Sequence, residues 1–447
     1  MRIAVFLLIF LAFLPGIAFC SQSEDLTLHD ALAKAFENNR TIDSAGKAIL
    51  EAEHNFSSTQ KERLPKVNMG YSYMYLGNDV NLTDTDPSTG ESYIFPLVTK
   101  NNYTWNTGIN MPLYTGGVQE LTELIAKLGI DISRVKLIQA KNELALNVKC
   151  YYFTVLRSEK LIDYFEQNLK SYEKHEAQSV SFNKQGLVAK NAVLEARVEK
   201  ANAEQELTSA RNEAEISRCS LNTVMGVEIN SGFNLKDGLS VKPLEMSYDD
   251  CIFYAKKHNP DLLVFSFAKQ QAQSAVKLEK AHYNPTLNLS ANYYLYGDTP
   301  GLRGNEMLPN NLLVAMLSIN WELFDWGQKN ESAKARQMQY EQVVNSEKLA
   351  QDNITLKIRE AYSQIRTAEK NVATAITALD LAKENLRISN LRYSEQVTNS
   401  TEVLDAITAL KKAEFNHCSA LYNYNIAMAK LEYAIGADME QIIKAGK

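Results

Sequence analysis

The sequence is poor in long apolar stretches. After the first 20 residues, no segment of the 447-residue chain reaches the roughly 18 uninterrupted apolar residues that a membrane helix needs. Any membrane crossing must therefore be made by β-strands. The first 20 residues, "MRIAVFLLIFLAFLPGIAFC", carry one basic residue and a short apolar run that ends at Pro15 and Gly16, which predicts a cleaved secretory signal peptide over residues 1–20. The alternative is that Cys20 is retained and lipidated, although the bulky Phe19 departs from the small residue expected there.

Cysteine is also scarce. Beyond residue 20 the chain has four cysteines, separated by 69, 32 and 167 residues: Cys150, Cys219, Cys251 and Cys418. A zinc site or a dense disulfide framework requires closer grouping. We therefore expect buried or partly buried thiols and no metal, with a disulfide as the alternative.

Positive charge and histidine give no sign of nucleic-acid binding or of catalysis. Without residues 1–20 the chain has 46 basic and 53 acidic side chains, a net charge of −7, which is unsuited to nucleic acid. The six histidines are scattered and are predicted to lie on helix surfaces: His29, His54, His175, His258, His282 and His417. The sequence has no HExxH, phosphate-binding glycine loop or nucleophile elbow. It predicts neither an enzyme nor a cofactor.

Glycine and proline are nearly absent from two long stretches. Residues 118–184 contain no proline and one glycine, Gly129, and residues 328–395 contain neither. Each stretch predicts a helix about 100 Å long, far longer than the core of a single domain requires. We expect each long helix to turn and to return as a shorter one, over about 187–225 and 397–434.

One continuous helix over about 27–62 is expected to supply the length that the shorter helix of the first copy lacks. Helices stacked in this way would give coiled coils of nearly uniform length. A filamentous coiled coil is the alternative, but a filament has no use for the strands that interrupt these helices.

The sequence contains an internal duplication. "LTLHDALAKAFENN" from Leu26 returns as "MSYDDCIFYAKKHN" from Met246, and "INMPLYTGG" at 109–117 returns as "INWELFDWG" at 319–327. The offset falls from 220 to 210, so the first copy gained ten residues, in a segment after Gly77 whose Asn, Asp, Ser and Pro content predicts a loop. The predicted division is a first repeat over 21–226, a linker over 227–245, a second repeat over 246–436 and a tail over 437–447.

Each repeat also contains two segments in which apolar and polar residues alternate. They lie at about 66–77 and 103–113 in the first repeat and at about 286–297 and 312–324 in the second. Roughly ten residues of alternation, with all three tryptophans in or beside them, are typical of strands that cross a bilayer. The alternative is an antiparallel sheet with one face on a soluble core. Four strands are too few to close a barrel, so a trimer with twelve strands is expected.

These features together resemble the TolC-like outer-membrane efflux proteins, also called outer membrane factors. The resemblance rests on the duplicated opening at 26–39, Pro65 before the first strand, "PLYTGG" at 112–117, and the turn segments at 185–196 and 392–406. It implies an α+β membrane protein whose homotrimer forms a twelve-stranded barrel in the outer membrane of a Gram-negative-type bacterium, with an α-helical tunnel through the periplasm.

The resemblance also implies partners and a task. The tunnel is expected to dock on a periplasmic adaptor (membrane fusion) protein that serves an inner-membrane RND, ABC or MFS transporter, for multidrug efflux or type I secretion. No nucleic acid and no catalysis are implied. The alternative is a periplasmic or surface structural coiled-coil protein without channel activity, and the exported substrate stays open.

Strand-to-helix junctions are the first candidate site. The resemblance makes "PLYTGG" the swivel where a membrane strand becomes a tunnel helix. Pro112 is expected to end the strand, and two glycines are expected to permit the bend. The second copy, "ELFDWG", keeps one glycine, so its bend is expected to be stiffer. The candidate swivel residues are Pro65, Pro112, Gly116, Gly117, Pro285 and Gly327.

The helix turns farthest from the strands are the second candidate site. In the family they form a periplasmic entrance with an acidic ring, which falls here on Glu402 and Asp405 of "EVLDA". Their spacing places both carboxylates on one helix face, and a ring of them would favour cations. The alternative is a solvated helix start, where acidic residues are common.

The chain departs from the family pattern at this entrance. Gln396 replaces a turn glycine that Gly186 retains, Thr398 stands where a gating arginine is expected, and Asn191 and Ala192 replace a Thr and an Asp. Tyr393 is kept. The acidic ring is therefore expected without the salt-bridge lock. The residues predicted to line the entrance and contact the adaptor are Gly186, Leu187, Val188, Asn191, Tyr393, Gln396 and Thr398, within turns around 182–190 and 393–401.

Overall fold

The structure, a computed structural model, describes residues 24–303 except 237, 242 and 245, and residues 310–437. The predicted signal peptide, Cys20 and all but the first residue of the predicted tail lie outside these residues. The helices are α1 (Leu28–Asn38), α2 (Arg40–Lys61), α3 (Val118–Lys184), α4 (Lys190–Met225), α5 (Tyr248–His258), α6 (Pro260–Ala281), α7 (Gln328–Ser394) and α8 (Ser400–Ile435). The strands are β1 (Glu24–Leu26), β2 (Lys66–Tyr75), β3 (Val80–Thr85), β4 (Ser92–Val98), β5 (Asn101–Tyr114), β6 (Phe233–Leu235), β7 (Thr286–Gly297) and β8 (Asn311–Asn320).

The helices of the two repeats match in length. The long helices α3 and α7 each have 67 residues, and their shorter partners α4 and α8 each have 36. Each repeat also begins with an 11-residue helix and a 22-residue helix. Across the described residues, no helix has both the length and the apolar character needed to cross a membrane.

The helix predicted over 27–62 is broken, and that prediction was wrong. Asn39 has an extended backbone between α1 and α2, and its side chain accepts a hydrogen bond of 2.8 Å from the N–H of Thr41. Its amide also donates to the carbonyl of Val224, 2.9 Å away on α4. The second repeat breaks at Asn259, where Pro260 disfavours a helical conformation of the preceding residue. Asparagine is a good N-cap, so the break is locally encoded.

The loop predicted for the inserted segment of the first repeat was also wrong, because the segment folds as the hairpin β3–β4. The predicted turn chemistry is present at its tip. The carboxylate of Asp86 accepts hydrogen bonds from the N–H and the hydroxyl of Ser88, and Gly90 adopts a positive φ of 68°. The flanking residues alternate enough to form strands that pair antiparallel. A second unpredicted pair ties the chain start to the linker, where β6 lies parallel to β1.

The four long strands form one antiparallel sheet with the order β2-β5-β7-β8. The pairing of β5 with β7 joins the two repeats. The register places Val67, Ile109, Ala291 and Ala315 in one row across all four strands. Because side chains alternate along each strand, the apolar residues share one face of the sheet. Strand β8 ends at Asn320, short of the predicted 324.

The main apolar core lies at the middle of the long helices. Tyr152, halfway along α3, is fully buried, and its hydroxyl donates to the carbonyl of Leu26 at 3.0 Å. Helix α1 packs there through Ala31 and Ala35, and α7 contributes Ile358. Burying such side chains stabilises the fold by about 1.5 to 3 kcal/mol for each large residue. A separate, smaller cluster lies nearer the helix turns.

The cysteines are thiols, as expected. Cys251 and Cys418 are buried, and Cys150 and Cys219 are partly buried. Burial raises the pKa of the Cys418 thiol to about 11. The Cys418 thiol therefore serves packing and carries little thiolate near neutral pH.

Candidate functional site

The two helix turns share one backbone geometry. In the first turn, residues 185–189, the N–H of Leu187 donates to the carbonyl of Phe182 at 2.9 Å, and Gly186 has a φ of +75°. In the second turn, residues 395–399, the N–H of Val397 donates to the carbonyl of Arg392 at 2.9 Å. Gln396 has a φ of +59°, a conformation that glycine adopts freely and other residues rarely do. The departure of the second turn from the family pattern therefore introduces backbone strain.

Both turns expose an apolar side chain at their tips. Leu187 is 47% exposed and Val397 is 66% exposed. The remaining predicted residues of the first turn hold its shape or face solvent. Asn183 donates from its side chain to the carbonyl of Val188 at 2.8 Å, and Asn191 is exposed.

The carboxylate of Glu402 is already engaged within its own chain. It accepts a hydrogen bond of 2.8 Å from Arg392 and another from the hydroxyl of Thr398. Its backbone N–H donates to the side chain of Asn399 at 2.9 Å, which caps α8. Thr398 thus stabilises a carboxylate at the helix start, where the helix dipole favours negative charge.

Asp405 lies one helical turn beyond Glu402 and is exposed. Within the described residues Asp405 forms no ion pair with a basic side chain. The structure therefore separates the two predicted acidic residues into one paired carboxylate and one that faces solvent.

Tyr393 is buried in a cluster that joins the first repeat to the second. It is 1% exposed, and its hydroxyl lies 2.9 Å from that of Ser179 on α3. Its ring packs against the rings of His175 at 4.9 Å and Phe182 at 5.4 Å. Its bonding partner on α3 is thus Ser179, and Ala192 offers it no polar group.

His175 was predicted to lie on a helix surface, and that prediction was wrong. The side chain is 2% exposed, and its Nε2 lies 2.7 Å from the hydroxyl of Ser400, the first residue of α8. Burial lowers the pKa of His175 from 6.5 to about 4, so the imidazole is neutral at pH 7. The spacing could have indicated this position, because Tyr172 is buried and His175 follows it by three residues on the same helix face.

The first strand-to-helix junction is a fixed contact between the repeats. Pro112 was predicted to end its strand, and that prediction was wrong. It lies at an irregularity in the pairing of β5 with β7, and β5 continues to Tyr114. A bulge is one of the few places where a sheet accepts proline. Gly116 has a φ of +71°, and its carbonyl accepts a hydrogen bond of 2.7 Å from the side chain of Asn284. A Cβ at Gly116 would lie 3.1 Å from the carbonyl oxygen of Ala281.

The second strand-to-helix junction makes the same bend with different residues. Trp326 takes a left-handed φ of +57° before Gly327, which has a φ of +87° and is the N-cap residue of α7. The carboxylate of Asp325 accepts hydrogen bonds from the N–H groups of Gly327 at 3.0 Å and Lys329 at 2.9 Å. Trp326 is 90% exposed. Pro65 and Pro285 each stand directly before a strand.

A sequence model of the outer membrane efflux protein family matches residues 31–227 and 252–437, which is most of both repeats. The chain belongs to the outer membrane efflux protein family. The family resemblance inferred from the sequence is therefore confirmed, and so is the location in the outer membrane. Members of this family are transport channels and not enzymes.

Individual relatives agree with this assignment. The outer membrane efflux protein is 24% identical to the outer membrane protein TolC of Escherichia coli over 315 residues, 68% of this chain and 63% of that protein. It is 22% identical to TolC of Vibrio cholerae over 91% of this chain and 90% of that protein. It is 27% identical to the protein CyaE of Bordetella pertussis over 42% of this chain and 39% of that protein. The chain thus spans less than two thirds of the length of E. coli TolC and of CyaE.

Solved structures share the fold. The CusC channel superposes with a TM-score of 0.76 at 15% identity, over 95% of each chain. The Campylobacter jejuni CmeC outer membrane channel gives a TM-score of 0.75 at 15% identity, over 94% of this chain and 88% of that one. The mostly helical, duplicated architecture predicted from the sequence is confirmed.

Proposed function

We propose that three copies of this efflux protein close a twelve-stranded barrel in the outer membrane and a helical tunnel below it. The observation that carries the proposal is the four-stranded sheet, which within one chain leaves β2 and β8 as edges and exposes its apolar face. Val67 and Met69 on β2 are 70% and 76% exposed, and Leu313 and Ile319 on β8 are 71% and 72% exposed. A bilayer tolerates neither unpaired strand edges nor a polar outer face.

The order of the strands supports closure between copies. β8 runs antiparallel to β7, β7 to β5, and β5 to β2. β8 is therefore antiparallel to β2, so that β8 of one copy pairs with β2 of the next in an all-antiparallel barrel. Three copies reach a number of strands that is large enough to enclose a pore.

Cysteine cross-linking tests this closure. We pair Met69→Cys on β2 with, in turn, Leu313→Cys, Ala315→Cys and Leu317→Cys on β8, all on the apolar face. One pair is expected to reach the Cα separation of about 4.4 to 6.8 Å that a disulfide requires, and oxidation should yield covalent dimers and trimers. The matched control is Ile109→Cys with Ala291→Cys, which are partners within the sheet and should cross-link inside one chain.

A ladder that stops at three chains supports the trimer. Oxidised products that stay monomeric for every β2–β8 pair, while the control forms its internal disulfide, would favour the structural coiled-coil alternative. A ladder that continues past three chains would contradict closure.

We further propose that the two helix turns dock on a periplasmic adaptor protein that delivers substrate from an inner-membrane transporter. The exposed tips of Leu187 and Val397 support this, because exposed apolar side chains at the end of a long solvated helix pair are typical of a contact with another protein. Such side chains would anchor a partner in the centre of a contact.

The double variant Leu187→Glu, Val397→Glu is expected to weaken adaptor binding by at least tenfold, measured with a purified adaptor by surface plasmon resonance. Leu349→Glu is the matched control, since Leu349 is 62% exposed about one third of the way along α7, far from the turns. Equal adaptor affinity of the double variant and the control would remove the turns from the docking surface. The substrate class, drugs or a secreted polypeptide, is set by the transporter on this proposal.

A further inference from the structure

Hydrogen bonds between side chains fasten the second repeat to α3 near the helix turns. Along α3, Tyr172 lies 3.3 Å from Thr408, His175 lies 2.7 Å from Ser400, and Ser179 lies 2.9 Å from Tyr393, in each case measured between polar side-chain atoms. These partners lie on α7 and α8. The middle of the helices is instead joined by a large apolar core, so the joint near the turns is the more polar one.

His175 is the only one of these bonded side chains that can gain a charge near neutral pH. Its ring contacts Tyr393 of α7, and its Nε2 bonds Ser400 at the start of α8. Its Nδ1 is buried and has no hydrogen-bond partner among the described residues. A protonated ring would therefore place a second N–H, and a positive charge, against apolar neighbours.

The charged groups around His175 are engaged elsewhere. On its own helix, the neighbouring Glu176 pairs with Arg197 of α4 at 3.1 Å and with Lys200 of α4 at 3.3 Å. On α7 and α8, Arg392 pairs with Glu402. None of these carboxylates is aimed at the imidazole to neutralise an added proton.

We propose that neutral His175 holds the second turn against α3 and keeps the entrance closed, and that its protonation releases this turn and opens the entrance. His175 is thus a positioning residue for the gate. The inference rests on the proposed channel function.

The direction of the pH effect follows from the pKa of His175. Burial lowers this pKa to about 4 in the arrangement described, which the proposal takes as closed, whereas a histidine released to water titrates near about 6.5. A histidine with a lowered pKa supports the closed arrangement fully above pH about 6.5, and the support is lost as pH falls from about 6.5 towards 4. Between pH 7.5 and 5, the open-to-closed ratio should rise by up to about 25-fold for each chain.

Two other titratable groups, one buried and one partly buried, lie on the same interface. Burial raises the pKa of Glu414, which accepts a hydrogen bond of 3.0 Å from Asn168. Because the pKa of Glu414 is raised, acid favours the arrangement in which Glu414 is buried. This effect is opposite to that of protonating His175. The pKa of His417 is lowered by burial and then by Lys383, so His417 is the competing source of an acid response.

Single-channel recording of the purified protein in planar bilayers tests the proposal between pH 7.5 and 5. Wild type is expected to open more often as pH falls. His175→Gln keeps a polar group in reach of Ser400 but cannot titrate in this range, and it should lose the acid response. His417→Gln, and His54→Gln on the exposed face of α2, should keep it.

Ser400→Ala provides a second readout that leaves His175 in place. It removes the bonding partner, so the entrance should open more often already at pH 7.5 while the acid response persists. An acid response that persists in His175→Gln and disappears in His417→Gln would overturn the proposal, as would a Ser400→Ala channel with the wild-type open-to-closed ratio at pH 7.5.

Different results would contradict the proposed channel function and the proposed role of His175. Absence of current from folded wild type at every pH would overturn the channel and the gate with it. A conducting wild type whose open-to-closed ratio is the same at both pH values would overturn the role of His175 alone.

Discussion

The carboxylates of Glu402 and Asp405, which were predicted to have the same role, have different surroundings. Glu402 accepts hydrogen bonds from Arg392 and Thr398, and the ion pair offsets its charge. Asp405 is exposed on the next helical turn. A pair of charges in contact with water produces little field beyond about 10 Å at 0.1 M salt. Of the two carboxylates, Asp405 therefore contributes more to the negative potential at the proposed entrance.

Removing the Asp405 charge and the Glu402–Arg392 pair in separate variants distinguishes their contributions. Asp405→Asn is expected to lower the cation-over-anion permeability ratio by a few-fold at about 0.1 M salt, and less at 1 M, where screening is stronger. The double variant Glu402→Gln, Arg392→Gln is the matched control and should change the ratio less, because the ion pair that it removes carries no net charge. Reversal potentials under a salt gradient measure both. A larger loss of selectivity in the double variant than in Asp405→Asn would contradict the assignment.

Some of the residues near the helix turns could be predicted from the sequence, and others could not. Tyr393 was singled out from the family pattern, and it is buried in the contact between the repeats. His175 was missed because a lone histidine on a helix is usually exposed, and because its partner Ser400 is 225 residues away. The pairing of Glu402 with Arg392 depends on how the turn folds, which a helix-face argument does not contain.

Among the elements, the two helix turns form a natural comparison. They make equivalent backbone hydrogen bonds, but one has glycine and the other has Gln396 at the left-handed position. A non-glycine residue there costs about 1 kcal/mol or more. Adding a Cβ at Gly186 meets no atom within 4 Å, so the difference is one of backbone conformation alone.

Exchanging these residues should shift the local stability of each turn in opposite directions. Gln396→Gly is expected to stabilise the second turn by about 0.5 to 1 kcal/mol, and Gly186→Gln to destabilise the first by a similar amount. Hydrogen–deuterium exchange of the amides at 185–187 and 395–397 reports these changes. Slower exchange in the first turn of Gly186→Gln would show that the strain has been misjudged.

The long elements could be predicted from the sequence and the short ones could not. Helix α3 spans Val118–Lys184, the stretch without proline, because a long periodic pattern outweighs local uncertainty. The break at Asn39 was missed because a single asparagine is a weak local signal within a long helical pattern, and the bond to Val224 that reinforces the break comes from another helix. The hairpin β3–β4 was missed because its polar composition concealed a weak alternation.

In the whole molecule, the duplication produces two sets of helices that match in length. Each repeat contributes helices of 67 and 36 residues, stacked with short helices and joined through one sheet. The large apolar core lies at the middle of the long helices, and the smaller, hydrogen-bonded cluster lies near the turns. Regions with fewer buried apolar contacts open at lower free energy, so the turns are expected to move before the middle of the long helices.

The most direct measurement of the central claim is the ionic current carried by the purified protein in a planar bilayer at pH 7.5. We expect discrete, small, cation-selective current steps, because a membrane channel with a narrow acidic entrance passes few ions and prefers cations. Protein that is folded by circular dichroism and inserted in the bilayer, yet carries no current, would contradict the account and favour a structural coiled-coil protein.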